Sequence, residues 1–280
     1  MNILIDNYVT PSQTESMYLY HSLKNMNGIN AYFWPTKKIS AYDIFDDTKP
    51  DIFITHISLF DFEIMTYLTD NDLDIPIVLS LLETTVAYQE SVRKQLVDIN
   101  ESNITKNLFV LSSKKGDNST GMKEIVLPHC ADTNISDYIK LENKIPVAYF
   151  INSEKVKEEK EGSYHYISNN IESADVCLAE NVLASMMSIY EEIVFEDLKR
   201  FDQPFFDALL KCDKVSYKSS DKKLDELSEK IFGDILNCNN SNNVDYKKVK
   251  EIVNKKHLPY NRVKTLLSQL PINQNIFTEV

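Results

Sequence analysis

Residues 191–217, EEIVFEDLKRFDQPFFDALLKCDKVSY, contain a complete strand, loop, helix and strand. The apolar run 193–195 predicts a short buried strand, and a polar loop separates it from the helix. Asp202 is suited to cap this helix and Pro204 to lie in its first turn, and the apolar residues that follow give the helix a buried side. Residues 214–217 predict a second strand. The pattern therefore predicts one repeat of an α/β domain.

The start of this predicted helix is a candidate binding site for a phosphate group. The first four N–H groups of a helix have no partner within it, and they point outward together with the positive end of the helix dipole. Lys199 and Arg200 precede this point, and Gln203 lies in it. The alternative is that the unit is one of several in an α/β domain that bind nothing, and this stretch alone supports both interpretations equally.

The length and composition of the chain are those of a globular protein with two domains. Its 280 residues fit two domains of ordinary size, and two domains imply a cleft between them. The net charge of −12 argues against a broad basic surface for nucleic acid, although a local basic groove is compatible with it. The four cysteines lie far apart without a CxxC pair, so we expect reduced thiols rather than a zinc motif or a disulfide framework.

The hydropathy pattern predicts neither a membrane span nor a leader segment. No apolar run approaches the roughly 18 to 20 residues that a membrane helix needs. The chain starts with a predicted strand and not with a basic, apolar leader. We therefore expect a soluble, cytoplasmic protein without a membrane partner.

Short apolar runs alternate with amphipathic stretches along most of the chain, which is typical of parallel sheets covered by helices. We predict an α/β fold with a first domain at 1–140 and a second at 141–243. Residues 244–280 are expected to form C-terminal helices, which are candidates for packing back on the first domain. Within the second domain, residues 174–190 are predicted to form one helix because their apolar residues follow a helical period.

Three segments, in this order, resemble glycosyltransferases of the GT-B fold, particularly the branch of spore-coat and phage enzymes. IVLPHCADTNI (125–135) is similar to the segment that leads into the family's second domain. PFFDALLKCDKVSY (204–217) is similar to the family's donor-binding helix and the strand after it, with Asp207 at the place of the acid that holds the ribose and Asp213 at that of a glycine. HLPYNRVKTLLSQL (257–270) resembles the family's closing helix. The resemblance implies two Rossmann-like domains that face each other across a cleft.

The resemblance also implies transfer of a sugar from a nucleotide sugar, with UDP as the expected nucleotide, without a metal ion or a further cofactor. In this interpretation Lys199, Arg200 and Gln203 neutralise the diphosphate, and Asp207 accepts hydrogen bonds from the ribose. The alternative for Asp207 is an exposed helix carboxylate. Phage members of the wider group glycosylate hydroxymethylated DNA bases, so modified DNA is one candidate acceptor and a glycan or a protein is another. The expected location is the cytoplasm of a bacterium or of an infected host cell.

A transfer that inverts the sugar would need a base at the C-terminal end of a first-domain strand, where open α/β sheets bind ligands. His56 and Glu83 both follow predicted strands and are the candidates for this base. Asp6 and Glu15 border the first loop and are candidates for acceptor binding. The structural alternative for the two candidate bases is a side chain that only makes hydrogen bonds within the fold.

Two hypotheses from other classes compete with a transferase. The first is a catalytically inactive module that binds a nucleotide or a nucleotide sugar, and it is favoured because Lys199 lies near the place of an acid that the family carries. The second is a sensor or scaffold whose cleft binds a protein. An enzyme would transfer or slowly hydrolyse the sugar of a suitable donor, whereas a binding module would only be stabilised by the donor.

Overall fold

The computed structural model describes residues 1–6, 14–34, 38–81, 86–102, 107–112, 121–127, 130–131, 143–151, 164–167, 187–196, 198, 201–236 and 244–272, with the backbone alone at 14–18, 86–91, 93, 151, 164–167, 203 and 234. The fold is α/β with parallel sheets, as the alternating pattern predicts. The chain divides into two compact units. The first unit comprises Met1–Pro128 and Arg262–Val280, and the second unit comprises His129–Asn261.

Ten described strands form two sheets in which every pairing is parallel. The first sheet has six strands in the order β2-β1-β3-β4-β5-β6, and the second has four in the order β10-β9-β7-β8. The strands are β1 Asn2–Asp6, β2 Asn30–Trp34, β3 Ile52–His56, β4 Ile77–Ser80, β5 Leu108–Ser112, β6 Lys123–Val126, β7 Ile145–Ile151, β8 Tyr164–Ile167, β9 Tyr190–Glu196 and β10 Lys214–Tyr217.

Helices follow most of these strands, as right-handed crossovers between parallel strands require. Among the described residues none of the helices is both long and apolar enough to cross a membrane. The described α-helices are α1 Thr14–Lys24, α2 Ala41–Thr48, α3 Phe62–Asp70, α4 Val86–Glu101, α5 Gln203–Lys211, α6 Lys222–Phe232, α7 Tyr246–Lys256 and α8 Pro259–Gln269.

The first sheet is covered by helices on both faces. Successive residues of a strand point to opposite faces, so Leu4 and Leu79 pack with α2, α3 and α4 in one core, and Ile3 and Val78 pack with α1 and α8 in another. Strands β4 and β5 are buried along their whole length. This two-sided burial explains why their sequences read as continuous apolar runs.

Trp34 anchors the aromatic part of the core beneath α2. Its ring meets Phe45 edge-on with centroids 6.2 Å apart, and it lies 6.0 Å from Phe53. The indole N–H donates to the carbonyl oxygen of Ile39 at 2.9 Å, so the polar end of this buried side chain is satisfied. The end of β2 and the approach to α2 are thereby fixed to the same core.

The second sheet shares one core with α5, α6 and α7. Phe150, Phe195 and Phe205 are fully buried in this core, and the ring of Phe195 contacts both of the others. From Ile193 to Glu196 of β9, buried residues alternate with half-buried ones, and β10 shows the same period of two. The packing of these positions is therefore concentrated on one face, whereas Tyr190 at the start of β9 is buried outside this period.

The prediction of one helix over 174–190 is wrong at its end. Met187–Ile189 form a single 3₁₀ turn, and Tyr190 is the first residue of β9. Tyr190 is fully buried, and it is paired in register with Ile145 of β7. Pairing with a neighbouring strand, which a single-segment pattern does not contain, overrides the helical spacing of the apolar residues. The remainder of this predicted helix lies outside the described residues.

Candidate functional sites at the two switch points

Both sheets reverse their strand order at one point, and open parallel sheets bind ligands beyond the carboxyl ends of the strands at such a point. In the first sheet the chain passes from β1 to β2 on one side and then to β3 on the other, so the reversal lies between β1 and β3. In the second sheet β8 and β9 flank β7 on opposite sides, so the reversal lies between β7 and β9. Each sheet thus defines one candidate site.

Asp6 ends β1 at the first of these points. Its side chain is only 1% exposed, and one of its carboxylate oxygens, Oδ2, accepts a hydrogen bond from the Thr55 hydroxyl at 2.8 Å. Thr55 lies on the adjacent strand β3 and is also 1% exposed. A carboxylate removed from water needs such donors, so Thr55 helps to hold Asp6 in place. The sequence analysis did not single out Thr55, although a polar residue at the end of an apolar strand is the signal for it.

His56 ends β3 and lies beside Ser80 of β4 in the parallel register. Its Nδ1 atom is 2.7 Å from the Ser58 hydroxyl and accepts the Ser58 backbone N–H at 3.3 Å. Partial burial lowers the pKa of the ring below its ordinary value of 6.5, which favours the neutral imidazole at pH 7. The ring therefore has the proximity to strand ends, and the charge state, that a general base requires.

The hydrogen bonds of His56 also determine which ring nitrogen carries the proton. A backbone N–H can only donate, so Nδ1 acts as the acceptor and the neutral ring carries its proton on Nε2. In this arrangement Nε2 donates hydrogen bonds. To accept a proton at Nε2, the ring must change tautomer, and its Nδ1–H would then donate to the Ser58 hydroxyl. Ser58 is the second residue of this site that the sequence analysis did not single out.

The two glutamates predicted for the first unit cannot be placed beside His56 and Asp6 from side-chain geometry. Glu83 lies outside the described residues. Glu15 lies in the first turn of α1, where the structure describes the backbone alone.

The start of α5 lies after β9, at the reversal point of the second sheet. Asp202 occupies the cap position in extended conformation and Pro204 lies in the first turn, as predicted. The Asp202 side chain makes no capping hydrogen bond to the helix. The Asp202 side chain therefore does not occupy the backbone N–H groups of Gln203 and Phe205, which are of the kind that bind anions at helix starts. Pro204 has no N–H, and the Phe206 N–H donates to the Asp202 carbonyl oxygen at 3.3 Å.

Asp207 is buried in α5, with 2% of its surface exposed, between the buried Phe206 and Ala208. The alternative of an exposed helix carboxylate is therefore wrong, because α5 is buried on nearly all sides and its periodicity does not reveal this. Gln203 lies in the first turn, where the backbone alone is described. Lys199 and Arg200 lie outside the described residues.

Asp213, which stands at the place of a family glycine, lies at the opposite edge of the second sheet. It directly precedes β10, and its carboxylate pairs with Lys144 at 2.7 Å, just before β7. Parallel strands begin at the same edge, so this pair lies at the amino ends and not at the candidate site. Asp213 in place of glycine is therefore compatible with a binding site at the carboxyl ends of the strands.

Neither described cysteine is suited to act as a nucleophile. Cys130 and Cys212 are both buried, and burial raises the pKa of Cys212 to about 12. The Cys212 thiol donates to the carbonyl oxygen of Met187 at 2.9 Å. Within the described ranges, no group of three or more His, Cys, Asp or Glu side chains is arranged to hold a metal ion.

No protein-family model matches the chain, and no curated protein matches it. Among solved structures, a crystal structure described as that of the glycotransferase of kitacinnamycin aligns with 96% of this chain and 99% of its own. The sequence identity is 10% and the TM-score is 0.46. Similarity at this level does not establish a shared activity.

Proposed function

We propose that the chain is a glycosyltransferase that moves a sugar from a nucleotide sugar to an acceptor hydroxyl. The observation that carries this proposal is the position of the start of α5 at the reversal point of the second sheet, with its first-turn N–H groups not occupied by the Asp202 side chain. A helix start at this point is suited to a diphosphate, because its N–H groups and dipole stabilise negative charge. The donor side then comprises residues 141–243 and the acceptor side residues 1–140.

In this proposal Lys199, Arg200 and Gln203 complete the diphosphate site. Lys199 and Arg200 offset the negative charge of the leaving group without a metal ion, and Gln203 donates a hydrogen bond to it. Asp207 orients the nucleoside by accepting a hydrogen bond from the ribose. UDP is the expected nucleotide.

On the acceptor side, His56 is proposed to take the proton of the attacking hydroxyl. The acceptor oxygen forms a bond to the anomeric carbon, the bond from that carbon to the diphosphate oxygen breaks, and the nucleoside diphosphate leaves with the bonding electron pair. The lowered pKa favours the neutral ring that this step needs, and the ring accepts the proton at Nε2 once its own proton has moved to Nδ1. Asp6 and Glu15 are proposed to contact the acceptor, and Glu83 is the alternative base. A modified DNA base, a glycan and a protein are the acceptor classes to be tested.

A binding module without transfer activity is the second candidate, and the hydrogen bonding of His56 favours it. The ring carries its proton on Nε2 as long as Nδ1 accepts from the Ser58 N–H, and in this state Nε2 is not a base. This feature is typical of a side chain that maintains a fold, and it bears on catalysis without affecting the binding of a nucleotide. Burial of Asp207 does not separate the two candidates, because both need its carboxylate to reach the ribose.

The test is a thermal-shift screen with UDP, GDP, ADP and CMP, followed by assays of transfer from the matching sugar conjugate. A ligand that binds only the native state raises the melting temperature. We expect Arg200→Ala to abolish the shift and Lys230→Ala, an exposed lysine of α6, to retain it. His56→Asn should retain the shift and lower the transfer rate by about 10²- to 10⁴-fold, because Asn keeps an acceptor for the Ser58 N–H but is no base.

The outcomes separate the two candidates. A shift without transfer or hydrolysis for any donor supports the binding module. Absence of a shift with every nucleotide, together with absence of transfer, contradicts both. Full activity of His56→Asn would assign the base to another residue, with Glu83 next.

A further inference from the structure

Helix α7 is strongly basic in a chain that is acidic overall. Five of its 11 residues are lysine and one is glutamate, whereas the whole chain has 42 acidic residues against 30 lysine and arginine residues. Such a local excess of positive charge is the feature that allows an acidic protein to bind a polyanion.

Four of the five lysines of α7 are exposed, and the fifth, Lys250, is half-buried. Val249 and Val253 are fully buried in the core of the second unit, and they fix the inner face of the helix. The outer positions are mostly basic. Four lysines along this helix are exposed, and they span about 14 Å at a rise of about 1.5 Å per residue: Lys247, Lys248, Lys255 and Lys256.

No carboxylate neutralises these four ammonium groups in the part of the chain that the structure describes. Three other lysines of the second unit are paired: Lys144, Lys214 and Lys218 contact carboxylates at 2.7, 2.9 and 3.0 Å. Exposed carboxylates do flank the basic face, since Asp245 caps the helix and Glu251 lies on its outer side. The exposed face nevertheless keeps an excess of lysine.

The helix dipole explains the two exposed lysines at the end of α7 but not the two at its start. Lys255 and Lys256 lie in the last turn, where the negative end of the dipole favours cations. Lys247 and Lys248 lie in the first turn, where the positive end of the dipole disfavours them. Two cations in the first turn therefore weaken the helix, and a bound anion would offset that cost.

We propose that the lysine face of α7 binds the phosphate backbone of nucleic acid. Its exposed side chains are lysine, asparagine and glutamate, so the contacts it can make are electrostatic and do not depend on base sequence. A helix that binds a membrane surface exposes a large apolar face, whereas the valines of α7 are used in the protein core. The proposal does not depend on sugar transfer.

The experiment measures fluorescence anisotropy of a labelled DNA duplex of about 20 base pairs, titrated with the full chain at about 50 to 200 mM salt. Backbone binding of this kind has dissociation constants of roughly 10⁻⁴ to 10⁻⁶ M and weakens with salt at a slope of about −0.9 per phosphate contacted. Four lysines predict a slope between about −2 and −4. The quadruple variant K247Q/K248Q/K255Q/K256Q should lose at least about tenfold in affinity at low salt and most of the slope.

Two further variants control for folding and for general charge. Glutamine keeps helix propensity, and K247Q/K248Q removes only the two cations that the dipole disfavours, so this variant should keep its fold while losing part of the slope. K222Q/K223Q/K230Q removes three exposed lysines of α6 and should bind like the parent. Far-UV circular dichroism checks the fold of each variant.

Three results would overturn the proposal: no binding by the parent chain at about 50 mM salt, equal loss in the α6 and α7 variants, or an unchanged slope in the quadruple variant. Binding of phosphatidylserine vesicles that depends on α7, without binding of DNA, would instead assign the face to a membrane surface.

Discussion

The two sheets share a parallel arrangement around a reversal point, but they bury their strands differently. In the first sheet, β4 and β5 are buried at every position, because helices cover both faces. In the second sheet, β10 and residues 193–196 of β9 alternate between buried and half-buried positions. Parallel strands can therefore have either a continuous apolar sequence or an alternating one. Which of the two occurs depends on whether one or both faces of the sheet are covered, and not on how the strands pair.

Polar side chains are likewise more deeply buried in one hydrogen bond of the first sheet than in two ion pairs of the second. The first sheet places Asp6 and Thr55 in a buried hydrogen bond at its carboxyl edge. The second sheet has solvent-accessible ion pairs, Lys214 with Glu192 and Lys218 with Glu196. Polar groups in the first sheet therefore contribute to rigidity, whereas those in the second are screened by water and contribute little to stability.

The largest expected effect is on stability, and it comes from making the same substitution, valine to alanine, in a strand of each sheet. Val78→Ala in β4 removes two methyl groups from a fully buried site and should lower the free energy of unfolding by about 2–3 kcal/mol. Val194→Ala in β9 should cost about 1 kcal/mol or less, because Val194 is only half-buried. Differential scanning calorimetry of both variants measures the two losses. Equal losses would show that both faces of β9 are as well covered as those of β4.

An intermediate effect tests the polar groups. Thr55→Val keeps the shape of the side chain but removes the donor to the buried Asp6, and it should cost about 1–3 kcal/mol. In the second sheet Lys218→Gln removes the partner of Glu196, and it should cost less than about 0.5 kcal/mol because the lysine is exposed. Urea denaturation of the two variants gives both values. A Thr55→Val variant as stable as the parent would mean that other donors suffice for Asp6.

The smallest effect concerns pH. Burial lowers the pKa of His56 below its ordinary value of 6.5, so the unfolded chain takes up the proton at a higher pH than the native protein does. His56 therefore costs no stability above about pH 6.5, and stability is lost as the pH falls from there through the lowered native pKa. His56→Asn should remove this dependence, which is small because the ring is only half-buried.

The measurement is the stability difference between the parent and His56→Asn between about pH 5 and pH 7.5. We expect the parent to lose stability relative to the variant only on the acid side. A constant difference over this range would show that the ring titrates alike in the folded and unfolded chain.

Local sequence patterns predicted the positions of helices and strands better than they predicted the burial of single residues. The strand at 2–6, the cap position of Asp202 and the first-turn Pro204 are confirmed, because each depends on neighbours in the sequence. The end of the helix predicted over 174–190 is wrong because Tyr190 pairs with Ile145, a contact between distant residues. Burial of Asp207 was likewise not predictable, since it depends on what surrounds α5.

The candidate sites show the same division. Strand ends could be located from apolar runs, so Asp6 and His56 were predicted to lie at carboxyl ends and do so. That these two residues are neighbours at a reversal point depends on the strand order. The strand order is determined by pairing between segments that are distant in the sequence. Thr55 and Ser58 were missed because hydrogen bonds, and not sequence motifs, connect them to Asp6 and His56. The roles of Glu83, Lys199 and Arg200 stay predictions.

The indole packed beneath α2 is an intrinsic fluorescent probe of the chain. Trp34 is the single tryptophan among 280 residues, whereas the 15 tyrosines are distributed along the chain. Its emission therefore follows the first unit alone, and far-UV circular dichroism follows both units. Coincident curves from the two signals would show that the units unfold as one cooperative system, and separated curves would show that each has its own transition.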